Sequence, residues 1–77
     1  MKNKILVLGA GLVSKPGVQY LLAQEKLQVT VASRTVSKAE ALVEGFTNGT
    51  AVALNVTDTE ALKQLIVDND IIISLLP

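Results

Sequence analysis

An apolar run, Ile5-Leu6-Val7-Leu8, ends in Gly9-Ala10-Gly11, and an amphipathic stretch follows. No other feature constrains the fold as tightly. A continuous apolar run is what a strand covered on both faces requires. The Gly-x-Gly break lets the chain turn sharply. Val18, Leu21 and Leu22 then recur at helical spacing, with Pro16 where an early helical turn tolerates it. A buried strand turning through glycines into a helix is the arrangement that cradles a phosphate at a helix N-terminus. The third small position carries Ser14 where the common pattern has glycine.

The same alternation continues. Gln28 to Ala32 reads as a second strand, with Val29 and Val31 β-branched. Ser37-x-x-Glu40 has the form of a capping box, and Ala39, Leu42, Val43 and Phe46 follow on one helical face. Asn48-Gly49 is a turn signal, and Ala51 to Leu54 a third strand. Thr57-x-x-Glu60 is a second capping box, and Leu62, Leu65 and Ile66 keep helical spacing. Asn69-Asp70 turns the chain into a fourth strand, Ile71 to Leu76, ahead of Pro77. The order βαβαβαβ predicts an α/β fold with a Rossmann-type parallel sheet in the order 3-2-1-4. The fourth strand, the most apolar segment, would then lie at an exposed edge. That expectation reads residues 1–77 as the N-terminal part of a larger dinucleotide-binding domain, prone to self-associate through residues 71–76 or to form a homo-oligomer.

Composition narrows the chemistry. Seven basic residues balance seven acidic ones, and no basic run stands out, which argues against nucleic acid. Tyr20 and Phe46 are the only aromatic residues, so a base-stacking platform is not expected. Without cysteine or histidine, neither a disulfide nor a Cys/His zinc site can form, and a cytoplasmic location is the expectation. No uncharged apolar run reaches the roughly 18 residues of a membrane span. No catalytic acid or base stands out either, and Lys15 near the glycine loop reads by default as solvated.

The candidate cofactor residues sit at strand ends. Gly9 permits the tight turn, and Gly11 leaves room for a pyrophosphate. Backbone N–H groups of Leu12, Val13 and Ser14 would point at the phosphates. Ser14 could donate to a phosphate oxygen, or merely tolerate helix-on-strand packing or cap the helix. An NAD site normally has an acid at the end of the second strand. This chain has Ser33-Arg34-Thr35 instead. A guanidinium fork between two hydroxyls suits a ribose 2′-phosphate, so NADP is the expected cofactor, although a lone arginine is often just a solvated loop residue. Val56 and Asp58, after the third strand, are candidates for adenine contact, and Thr57 and Asp58 are equally good helix starters. Ser74, Leu75 and Leu76 end the fourth strand on the same carboxyl edge, where ligands of such sheets bind.

Four segments in order, Gly-Ala-Gly-Leu-Val-Ser-Lys-Pro, Val-Ala-Ser-Arg-Thr, Leu-Asn-Val-Thr-Asp and Ile-Ile-Ser-Leu-Leu-Pro, resemble the N-terminus of the saccharopine dehydrogenases of the NADP-dependent, glutamate-forming type. The resemblance runs from about Lys4 to Pro77. It implies a Rossmann domain followed by a larger substrate domain, and an oxidoreductase of lysine metabolism acting on a CH–NH bond. Saccharopine would be cleaved oxidatively to glutamate and aminoadipate semialdehyde, with NADP as hydride acceptor. The small amino-acid substrate would be held by residues outside this chain. Two rival readings stand beside it. A stand-alone nucleotide-sensing module generally keeps an acid at the end of strand two. An extended short-chain reductase would need a Tyr-x-x-x-Lys pair further on.

Overall fold

The computed structural model describes residues 3–9, 15–55 and 57–74, with Lys15 described by its backbone alone. The elements are β1 (Asn3–Leu8), α1 (Lys15–Leu22), β2 (Leu27–Ser33), α2 (Val36–Val43), β3 (Gly49–Ala53), α3 (Thr59–Asp68) and β4 (Ile71–Ser74). The strands form one sheet in the order β3-β2-β1-β4, and every pairing is parallel. The expected fold class and strand order are therefore what the chain adopts.

Strand alternation divides the core in two. Ile5 and Val7 of β1 and Val29 and Val31 of β2 face α1 and α2, where they pack with Val18, Leu22, Ala39 and Leu42. Leu6, Leu8 and Ala32 face the other way and meet Leu54, with Ala61, Leu62 and Leu65 of α3 packed against them. This two-sided burial explains why β1 reads as an unbroken apolar run. Gly45 takes φ +85° just after α2, a backbone region that favours glycine. Phe46 then donates its N–H to the Val43 carbonyl at 3.1 Å and packs against the first core. Asp70 fixes the register of β4. Its N–H donates to the Lys4 carbonyl at 2.7 Å, and its carboxylate accepts from the Lys4 N–H at 2.9 Å.

Two local expectations need correction. The Ser37-x-x-Glu40 capping box does not form: α2 starts at Val36, and its N-cap residue, Thr35, makes no side-chain capping bond. The second capping box is displaced by one residue. Asp58 caps α3, accepting from the Ala61 N–H at 3.2 Å, while the Thr57 hydroxyl and N–H both donate to Asn55 Oδ1. The turn expected at Asn48-Gly49 is present; Asn48 is buried in it, and Gly49 opens β3.

Candidate dinucleotide site

In a parallel sheet all carboxyl ends lie on one edge, and the register here sets which ends are neighbours. Leu8 stands opposite Ala32 on one side and Ser74 on the other, and Ser33 stands opposite Ala53. The edge therefore presents, from β3 to β4, the loop after Ala53, then Ser33-Arg34-Thr35, then Gly9, then Ser74. Helices α1 and α2 cover one face and α3 the other. The strand order reverses direction between β1 and β4, and such a switch point opens a crevice at the carboxyl edge.

Gly9 closes β1 with φ 103°, where a Cβ is strained. Its N–H donates to the Ala32 carbonyl at 2.9 Å. That bond extends the β1–β2 ladder past the strand end and starts the turn at a fixed point. The same N–H is thereby unavailable to a phosphate, so any donors there come from later in the loop. Gly11, Leu12, Val13 and Ser14, the residues expected to supply them, lie outside the described residues, as do Val56, Leu75 and Leu76.

At the end of β2 the Ser33 carbonyl accepts from the Leu54 N–H at 2.8 Å, joining the ends of β2 and β3. The Ser33 Oγ accepts from the Thr35 N–H at 3.2 Å. This Ser-turn leaves the hydroxyl proton free to donate outward and pins the backbone on both sides of Arg34. Ser33 is half-buried, while Arg34 and Thr35 are exposed. A guanidinium on a short pinned loop, between two hydroxyls and without an acid at the strand end, fits a dianionic 2′-phosphate far better than a neutral ribose diol.

The loop after β3 is tied internally. Asn55 Oδ1 accepts from the Thr57 N–H at 3.1 Å and from its hydroxyl at 2.8 Å, and the Asp58 N–H donates to the Asn55 carbonyl at 2.8 Å. Asn55 thus organises the loop that flanks the Arg34 turn. It was not among the expected site residues, although Asn-x-Thr is a known turn pattern. One oxygen of Asp58 is committed to the α3 cap, and its side chain is exposed. Ser74 is exposed at the end of β4.

Two open depressions lie away from this cluster. One runs along α2 and carries Glu40 and Glu44, which suits no phosphate. The other lies beside α3, near Lys4, Gln28 and Asn69, toward the amino ends of the strands.

Similarity to known proteins agrees with this geometry. The chain is 45% identical over 73 residues to the saccharopine dehydrogenase [NADP(+), L-glutamate-forming] of Schizosaccharomyces pombe, spanning 95% of this chain and 16% of that protein. It is 40% identical over 77 residues to the mitochondrial alpha-aminoadipic semialdehyde synthase of Bos taurus, spanning 99% of this chain and 8% of that protein. The solved apo saccharopine dehydrogenase (L-Glu forming) of Saccharomyces cerevisiae superposes with a TM-score of 0.89 at 41% identity, over 97% of this chain and 17% of that one. The chain therefore spans about a sixth of the saccharopine dehydrogenases it matches. A family model described as the saccharopine dehydrogenase NADP binding domain matches residues 5–77, and with that match NADP is the cofactor. The chain belongs to the saccharopine dehydrogenase NADP-binding domain family.

Proposed function

We propose that this chain is the cofactor-holding segment of an NADP-dependent oxidoreductase that cleaves saccharopine reversibly to glutamate and aminoadipate semialdehyde. The observation that carries the cofactor half is the pinned Ser33-Arg34-Thr35 turn beside Gly9 on the carboxyl edge. Arg34 binds the 2′-phosphate through its guanidinium, and the Ser33 and Thr35 hydroxyls donate to the same group. Gly9 and Gly11 let the backbone approach the pyrophosphate, with Leu12, Val13 and Ser14 supplying N–H donors. Val56 and Asp58 border the adenine. Ser74, Leu75 and Leu76 line the path toward the nicotinamide, which supplies hydride acceptance when NADP is bound. The acid, the base and the substrate contacts belong to residues outside this chain. The free edge of β4 is the surface through which the isolated chain self-associates.

Arg34→Ala tests the assignment. It should weaken NADP binding by about 1.5–3 kcal/mol, the worth of hydrogen bonds to a charged group, and leave NAD binding nearly unchanged. Calorimetric titration with both cofactors reads the difference. An equal loss for the two would show that Arg34 does not see the 2′-phosphate.

A further inference from the structure

Asn48 is only 7% exposed. Its Nδ2 donates to three backbone carbonyls: Leu22 at 3.0 Å, Gln24 at 3.3 Å and Leu27 at 2.9 Å. Its own carbonyl accepts from the Val29 N–H at 2.9 Å. One side chain thus latches the end of α1, the loop after it and the start of β2 to the start of β3. Gly49 is required for a separate reason. A Cβ there would stand 2.8 Å from both Leu22 Cδ2 and Val43 Cβ, closer than packed carbons approach.

The two demands together place asparagine before glycine, and that pair is chemically labile. With no side chain on the glycine, its backbone nitrogen reaches the asparagine Cγ unhindered. A bond forms between Gly49 N and Asn48 Cγ, and the Cγ–Nδ2 bond breaks. Nδ2 leaves as ammonia, carrying the proton lost from the Gly49 N–H. Water then opens the resulting succinimide at either carbonyl, giving aspartate or isoaspartate. Nothing is oxidised or reduced.

We propose that Asn48 is a site of spontaneous deamidation gated by the corner it latches. The folded chain holds the departing nitrogen in three hydrogen bonds, all of which must break before Cγ can swing over the Gly49 nitrogen. Each opening of the corner exposes the pair, and the change is one-way. A carboxylate in place of the amide turns acceptors toward three carbonyl oxygens in a buried site, with no donor between them. Isoaspartate in addition lengthens the main chain by one carbon at the start of β3 and disturbs its register with β2.

The test incubates the whole chain at one pH and temperature, in buffer and in urea. Peptide mass spectrometry follows ammonia loss and isoaspartate at position 48. The reaction should run at least about tenfold faster in urea, the factor that ~1.4 kcal/mol of opening free energy sets. Equal rates in the two solvents overturn the proposal. As a second measurement, Asn48→Asp should lower the denaturation midpoint of the chain, and an unchanged midpoint overturns the role of the amide's hydrogen bonds as the gate.

Discussion

The two faces of the sheet are built to different standards. On the α1–α2 side, eight buried residues from four elements close on one another, and Asn48 locks the corner with three hydrogen bonds. On the α3 side, four buried residues form a smaller cluster, and α3 itself buries none of its residues. Val67 is 78% exposed there, and Ile72 of the neighbouring β4, opposite Leu6, is 38% exposed. Thr30 and Thr50, paired across β2 and β3, border an open depression on this side. All eight residues of the larger cluster come from the βαβαβ unit that ends at β3, with Ile73 of β4 packed against them. The α3–β4 addition brings apolar surface that this much chain does not cover. A chain of this size buries only roughly 60% of its unfolded surface, so the first face has to carry most of the stability.

That contrast predicts unequal costs for equal truncations. Leu22→Ala removes a buried side chain beneath the Asn48 latch and should cost ~2–5 kcal/mol, enough to unfold a domain this small. Leu65→Ala, on the half-buried contact of α3 with the sheet, should cost about 1 kcal/mol. Urea denaturation of both variants measures the gap. Matching costs would mean that α3 is packed as firmly as α1, and the distinction between the faces would fall.

A smaller effect is expected where α3 begins. Asp58→Ala deletes the carboxylate that accepts from the Ala61 N–H and should cost ~1 kcal/mol. Because α3 is tied down by few buried contacts, the loss should appear as local opening. Amide exchange should quicken along α3, while the amides of β2 and α1 stay protected. A uniform rise across the chain would instead show that α3 opens only with the whole fold.

The same contrast separates what was legible in the sequence from what was not. Continuous or β-branched apolar runs in the strands and the 3.6 period in the helices identified all seven elements, and their βα alternation the sheet order, because these patterns are local in the chain. The helix starts were less legible. Thr35, Ser37, Thr57 and Asp58 are all competent cap residues, and only the backbone geometry selects among them. The depth of Asn48 was hidden altogether, since its acceptors, Leu22, Gln24 and Leu27, lie more than twenty positions earlier in the chain. At the carboxyl edge, the place of Arg34 was legible because the end of β2 was. The tie from Leu54 to Ser33 was not, because it depends on the register of β3 against β2. The family match to residues 5–77 fixes the cofactor class without assigning the atoms that hold it.

The smallest effect on stability, and the sharpest test of the open face, belongs to Ile72→Lys. Ile72 stands opposite Leu6, on the thinly covered side, in an edge strand of sequence Ile-Ile-Ile-Ser with no charge. Natural edge strands are commonly guarded by a lysine or a proline that blocks pairing with another chain. A lysine at position 72 can lay its methylenes along the sheet and keep its ammonium in water, so stability should change by less than ~1 kcal/mol. Self-association should weaken, because a second chain adding to this edge would have to bury that charge without a partner. Sedimentation velocity over a range of concentrations distinguishes the outcomes. If the parent chain stays monomeric at high concentration, the uncharged edge does not drive assembly. If the parent associates and Ile72→Lys associates as tightly, the contact lies elsewhere, and Ile72 is not what the open face offers to a partner.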